Sequence, residues 1–92
     1  MNYELKFNFE AISDIEKHKK AGNLQFLKKI DTLLNELRKH PKTGTGKPEQ
    51  LKGFEIPTWS RRISHQHRLV YQVFENEVVV VIIASWGHYD DK

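Results

Sequence analysis

Tyr3, Leu5, Phe7 and Phe9 alternate with Glu4, Lys6 and Asn8 at the start of the chain, the period of two expected of a strand with one buried face. Over residues 10–21 the apolar positions thin to Ile12 and Ile15 among charges, which predicts a short, one-sided helix stopping at Gly22. Asn23 is placed to cap a second helix, in which Leu27, Ile30, Leu33, Leu34 and Leu37 recur at helical spacing while Lys28, Lys29 and Glu36 fall off the stripe. That helix should end before Pro41. Two such helices in antiparallel contact would cover one face of a sheet.

Residues 41–58 contain Pro41, Gly44, Gly46, Pro48, Gly53 and Pro57, a density of breakers that excludes a long regular element. Long irregular connections are uncommon in compact domains and are often functional. This one carries Lys42, Lys47, Glu49 and Lys52. Residues 59–73 then read as two strands and a turn. Paired residues across a hairpin point to the same face, so bringing Trp59 and Ile63 beside Leu69, Tyr71 and Val73 requires an odd number of turn residues, for example His65, Gln66 and His67. The same register puts Arg62 and Arg68 together on the opposite face, beside Ser60, Ser64 and Val70. Residues 78–84 are continuously apolar, as in a central strand covered on both sides, and Glu75-Asn76-Glu77 is the turn leading into it. The order is β-α-α-β-β-β with no internal repeat. The fold class is α/β in content and α+β in arrangement, with two helices packed on a four-stranded sheet.

A chain of 92 residues supports one domain over residues 1–92, with one core that every site must share. Its formal charge of +3 suits an anionic partner without demanding one. The lack of cysteine excludes disulfides and thiol catalysis and fits a reducing compartment. No apolar run approaches the ~18 residues of a membrane span, and the polar start is unlike a secretory leader. A cytoplasmic protein with no membrane association is expected.

Three of the four arginines lie within residues 59–71. Arginine presents a planar fork of donors suited to phosphate, so arginines fixed on strands can hold a phosphodiester in place, which points to RNA or another polyphosphate. Arg62 and Arg68 form such a clamp, or are solvated surface charge with weak ion pairs; the residues alone leave both open. His65 and His67 have strand spacing for one face, but zinc needs three or four ligands and no third is near. A polar turn, with His67 hydrogen-bonded at the strand start, is the expected reading, and no metal is assigned. His88 and Tyr89 follow the last strand, where a histidine can exchange a proton near neutral pH and a tyrosine can stack on an unpaired base; the alternative is a frayed tail. Trp59 and Tyr71 alternate with core aliphatics and read as packing. Trp86 stands between core and candidate site. Lys17, Lys19, Lys20, Lys28 and Lys29 read as solvated helix faces.

Taken in order, Gly46-Lys47-Pro48-Glu49-Gln50-Leu51, Trp59-Ser60-Arg61-Arg62-Ile63, His67-Arg68-Leu69-Val70-Tyr71 and His88-Tyr89 resemble the YoeB-type toxins of bacterial toxin–antitoxin pairs, within the RelE superfamily. The resemblance covers nearly the whole chain, the first forty residues agreeing in pattern rather than in motif. It implies two helices on a four-stranded, mainly antiparallel sheet and cleavage of messenger RNA in the A site of the 70S ribosome, without a metal or other cofactor. It further implies neutralisation by a cognate YefM-like antitoxin and leaves a homodimer open. By the same resemblance Glu49 is the general base, Arg68 the stabiliser of phosphate charge and His88 the general acid. Arg62 and Lys52 would contact RNA phosphate, and Tyr89 would position the target nucleotide. The sequence departs from the common pattern at Gln50, at Gly87 and in the extension Asp90-Asp91-Lys92. The superfamily also includes gyrase-poisoning relatives of the same shape, so a non-catalytic toxin and a simple basic RNA-binding module are the alternatives.

Overall fold

The computed structural model describes residues 2–87. Its elements are β1 (Glu4–Phe7), α1 (Phe9–Lys20), α2 (Leu24–Leu37), β2 (Glu49–Gln50), β3 (Thr58–Arg62), β4 (Arg68–Phe74) and β5 (Val79–Ala84). The strands form one sheet in the order β1-β5-β4-β3-β2. Only the β1–β5 pair is parallel, so the sheet is mainly antiparallel. It has five strands where four were expected. The addition is β2, two residues inside the long connection that pair Glu49 with Ser60 and Gln50 with Trp59.

The first strand is shorter than its alternation suggests. Asn8 Oδ1 accepts a hydrogen bond of 2.8 Å from the Ala11 N–H, an N-cap that satisfies one orphan donor of α1 and ends the strand. Phe9 thereby becomes the first helical residue and is 86% exposed. Ile12, expected to be buried, is 51% exposed, and the buried residues of α1 are Ala11, Asp14 and His18. Asn23 occupies the N-cap position of α2, but its side-chain amide contacts His18 Nδ1 at 3.3 Å rather than capping the helix.

The hairpin has an odd loop, as the register argument requires, although it is longer than three residues. Arg62 pairs with Arg68, and the turn is closed by the N–H groups of Ile63 and Ser64 donating to the His67 carbonyl. Trp59, Leu69, Tyr71 and Val73 consequently face the helices. The main core joins Ala11, Ile30, Leu33 and Leu37 of the helices to Ile63, Leu69, Tyr71, Val73, Val80 and Ile82. A smaller cluster of Leu51, Val70 and Ala84, with Phe54 and Ile83 against it, covers part of the other face. The expected apolar strand is β5, which starts one residue later because Val78 has φ +55°; it is buried on the helix side but only partly covered on the other, where Val81 and Ile83 are half-buried. Val70 pairs with Ala84 and Tyr71 with Ile82, a bulge that takes up Ile83 and redirects the end of β5.

Arg61 is fully buried on the helix side of β3. All five donors of its guanidinium are engaged. Nε donates to the Tyr71 hydroxyl (3.0 Å), Nη1 to Glu36 Oε1 (2.9 Å) and the Thr45 carbonyl (3.4 Å), and Nη2 to the carbonyls of His40 and Thr43 (2.7 Å to the latter). One side chain thus ties the connection after α2 to both α2 and the sheet. Burial pushes the Tyr71 hydroxyl above its ordinary pKa against the pull of Arg61, so it stays protonated and donates to the Pro41 carbonyl at 2.7 Å.

Hydrogen bonds from the Thr45 hydroxyl and N–H, followed by the Arg61 charge, hold the Glu36 carboxyl below its ordinary pKa of 4.5 despite some desolvation. A lowered folded pKa means that the unfolded chain binds the extra proton. The stabilisation is complete above 4.5 and is lost as pH falls through the folded value. Urea midpoints measured from pH 6 to pH 3 should therefore fall more steeply for the wild type than for Glu36→Gln; parallel curves would refute this linkage.

Candidate active site

The sheet face turned away from the helices aligns residues from four strands. Glu49 pairs with Ser60, Ser60 with Val70 and Val70 with Ala84, so the four lie in one row across β2, β3, β4 and β5. Arg62 and Arg68 pair in the next row on the same face. The arginine is anchored where these rows meet: Arg68 Nη1 lies 3.3 Å from Glu49 Oε1 and donates to Ser60 Oγ at 3.2 Å. Ser60 is buried, so its hydroxyl gives the guanidinium a fixed reference. The Arg68 side chain is 20% exposed and that of Glu49 63%. An ion pair so open to water contributes about 0–1 kcal/mol, and a ligand phosphate can displace the carboxylate from the guanidinium at little cost. The pair thus presents a proton acceptor and a fixed cation, side by side, to anything lying on the face.

The end of β5 approaches the same place. Beyond its bulge the chain runs to Gly87, whose carbonyl accepts from the Arg68 N–H at 3.0 Å and whose N–H donates to His67 Nδ1 at 2.9 Å. His67 is thus hydrogen-bonded at the strand start, as expected of a turn histidine. His88 and Tyr89 lie outside the described residues, as do Asp90, Asp91 and Lys92. Gly87 is the last described residue before them.

Arg62 and Lys52 are exposed and make no ion pair among the described residues. Lys52 sits just past β2, exposed to solvent. Arg62 lines an open cavity of about 340 Å³ together with Lys29, Lys47 and His65. From sequence Lys29 reads as a solvated helix face, and Lys47 only as one lysine of the long connection, with no link between the two. Their spacing carries no signal, because α2, the long connection and β3 meet only in the folded chain. Lys47 has φ +51°, a left-handed conformation uncommon for a residue with a side chain, and it follows Gly46, whose carbonyl accepts from the Arg62 N–H at 2.7 Å. No group of three or more potential metal ligands gathers among the described residues.

Residues 7–89 match the family model of the YoeB-like toxin of bacterial type II toxin–antitoxin systems. The chain belongs to this family. Toxin YoeB of Escherichia coli K12 is 43% identical over 65 residues, covering 71% of this chain and 75% of the relative. The solved YoeB/ParE toxin from Agrobacterium tumefaciens superposes with a TM-score of 0.85 at 32% identity, covering 94% of this chain and 99% of its own. In the YoeB–YefM complex from Staphylococcus aureus the matching chain gives a TM-score of 0.78 at 33% identity, covering 97% of this chain and all of its own. This toxin accordingly shares the two-helix, open-sheet architecture of the RelE and YoeB group. Glu49 and Arg68, like Arg62 on the neighbouring row, fall inside the matched residues.

Proposed function

We propose that this toxin is an endoribonuclease that cuts messenger RNA in the ribosomal A site, using the 2′-hydroxyl of the RNA as nucleophile. The observation that carries the reading is the contact of Glu49 and Arg68 on an open sheet face, next to the backbone that leads to His88. Glu49 takes the proton from the 2′-hydroxyl as its oxygen attacks phosphorus. Arg68, with Arg62 and Lys52 on the flanking phosphates, stabilises charge on the crowded phosphorane. The bond from phosphorus to the 5′-oxygen breaks, His88 protonates that oxygen, and Tyr89 holds the target base. The products are a 2′,3′-cyclic phosphate and a free 5′-hydroxyl. No side-chain nucleophile or metal enters the balance. Membership of a toxin–antitoxin family and the YefM-bound relative from S. aureus support a YefM-like antitoxin as partner. The S. aureus YoeB dimer supports self-association. Action on ribosomes implies a cytoplasmic location, and among the described residues no helix is long and apolar enough to cross a membrane.

Primer extension on a defined message in 70S ribosomes tests the reading, with wild type, His88→Ala and ribosome-free RNA compared. Cuts that need both the ribosome and His88 are expected; an intact message with toxin bound would refute nuclease action. A message carrying a single 2′-deoxynucleotide at the cut position should be left whole there, because the attacking oxygen is missing. Cleavage at the deoxy site would exclude the 2′-hydroxyl mechanism.

A further inference from the structure

We infer that Asp14, His18 and His67 are positioning residues, which fix the backbone of residues 85–87 and so set the point from which the chain enters His88. The inference rests on the proposed acid role of His88. Its observation is a convergence of buried polar side chains on one short stretch of backbone. Asp14 Oδ2 accepts from the Ser85 N–H at 3.1 Å, His18 Nε2 meets the Ser85 carbonyl at 2.8 Å, and His67 Nδ1 accepts from the Gly87 N–H at 2.9 Å. The Gly87 carbonyl accepts from the Arg68 N–H. Both backbone groups of Ser85 and both of Gly87 are therefore held from outside β5. Asp14, His18 and His67 are all buried.

The proton positions are consistent with this arrangement. A carbonyl can only accept, so His18 carries its proton on Nε2, which leaves Nδ1 to accept from the Asn23 amide at 3.3 Å. His67 must likewise be unprotonated at Nδ1 to accept from Gly87. Trp86 is packed by both rings, with centroids 4.7 Å from His18 and 4.5 Å from His67, while the two imidazoles meet edge to face at 4.8 Å. Lys17 Nζ stands 5.7 Å from the Trp86 ring and 3.6 Å from Asp14 Oδ1, and Phe26 closes the cluster at the edges of both imidazoles.

Apolar side chains would fill this space between α1, the hairpin loop and β5 without the cost of burying polar atoms. What hydrophobic contact cannot provide is direction, because it is non-directional, whereas each of these hydrogen bonds specifies an angle. The direction matters at Gly87, which has φ +76° with nothing within 4 Å of the place a Cβ would occupy. Glycine therefore suits the left-handed turn of the backbone there, and its small size is not needed for room. A displacement of about 1 Å in a reacting group can cost ~10²-fold in rate, so a loosened residue 87 should impair catalysis without affecting ribosome binding.

The test compares His67→Ala, which removes the acceptor, with His67→Asn, whose amide oxygen can replace Nδ1. Amide hydrogen exchange at Gly87 is followed by NMR, and single-turnover cleavage is followed on programmed ribosomes. In His67→Ala, Gly87 should lose protection while Leu69 and Ile82 keep theirs. Its maximal cleavage rate should fall by about 10²-fold at unchanged half-saturating ribosome concentration, and His67→Asn should recover most of both. Undiminished cleavage by His67→Ala, or a Gly87 amide that stays protected in it, would overturn the inference. If His67→Ala loses the core protection as well, Gly87→Ala serves instead, since it meets no clash and disturbs only the turn; full activity in that variant would also overturn the inference. Wild-type protein that cuts nothing overturns the acid role of His88 and with it the catalytic half of the inference, and the exchange rates still decide whether the clamp exists.

Discussion

Glu49→Gln is expected to lower the single-turnover rate of message cleavage by about 10²- to 10⁴-fold, the usual worth of a general base, while the toxin still binds ribosomes. The substitution is a clean one. Glu49 lies on a two-residue strand, its side chain is largely exposed and its ion pair with Arg68 is weak, so folding should barely change. Its amide is nearly isosteric and can still accept a hydrogen bond from Arg68, but it cannot take up the 2′-hydroxyl proton. Arg68→Ala should be similarly damaging for a different reason, since losing one preorganised charge partner costs about 3–4 kcal/mol of transition-state stabilisation. Rates, thermal melts and ribosome co-sedimentation measured together decide the matter. A Glu49→Gln protein that cuts within tenfold of wild type would remove the carboxylate from the mechanism. One that no longer binds ribosomes would make it a docking residue.

Arg61→Ala, one position before a proposed phosphate contact, should act on stability. It strips the Tyr71 hydroxyl, Glu36 and three carbonyls of a donor at once, at a site with no exposure. The Glu36 side chain is 27% exposed, so the loss comes mainly from the buried acceptors left without a donor, at about 1–3 kcal/mol each and about 3–5 kcal/mol together. For a domain of this size that corresponds to a fall in melting temperature of at least ~12 °C. Arg61→Lys should recover only part, because an ammonium has three donors and lacks the planar fork. Arg62→Ala, exposed and unpaired among the described residues, should melt like wild type and reveal itself in the salt dependence of ribosome binding. If Arg61→Ala melts within 3 °C of wild type, the anchoring of residues 40–45 by this guanidinium is wrong.

The contrast between Arg61 and Arg62 also marks where the sequence was legible. Parity across the hairpin correctly sent Arg62 and Arg68 to one face. The same parity sends Arg61 to the other, beside Trp59 and the core, a signal that is obscured when the arginines are read as a group. The buried stripe of α1 had a signal too, because residues 11, 14 and 18 have helical spacing. It went unread because Asp14 and His18 are polar, and their burial makes sense only once the backbone of Ser85 is in place. Phe9 left the strand because an asparagine cap outweighed a continuing alternation. β2 was not legible at all: two residues have no periodicity, and the strand exists by virtue of its partner. Glu49 and Arg68 are separated by a long connection and a hairpin, so their assignment to one site came from a family resemblance rather than from spacing, and their contact was not foreseen. His88 and Tyr89 remain assignments of that resemblance.

The strand order has a consequence for how the molecule comes into being. β5 is made after the other four strands, yet it is interior, with β1 on one side and β4 on the other. Until residues 79–84 have been synthesised, β1 has no partner, β4 has a bare edge and α1 lacks the strand it packs against. Such non-local pairing is slow to form, and an open strand edge invites association with other chains. A growing chain therefore cannot close its sheet, and the Arg68 backbone cannot receive Gly87, while the ribosome that makes it is still reading the upstream codons.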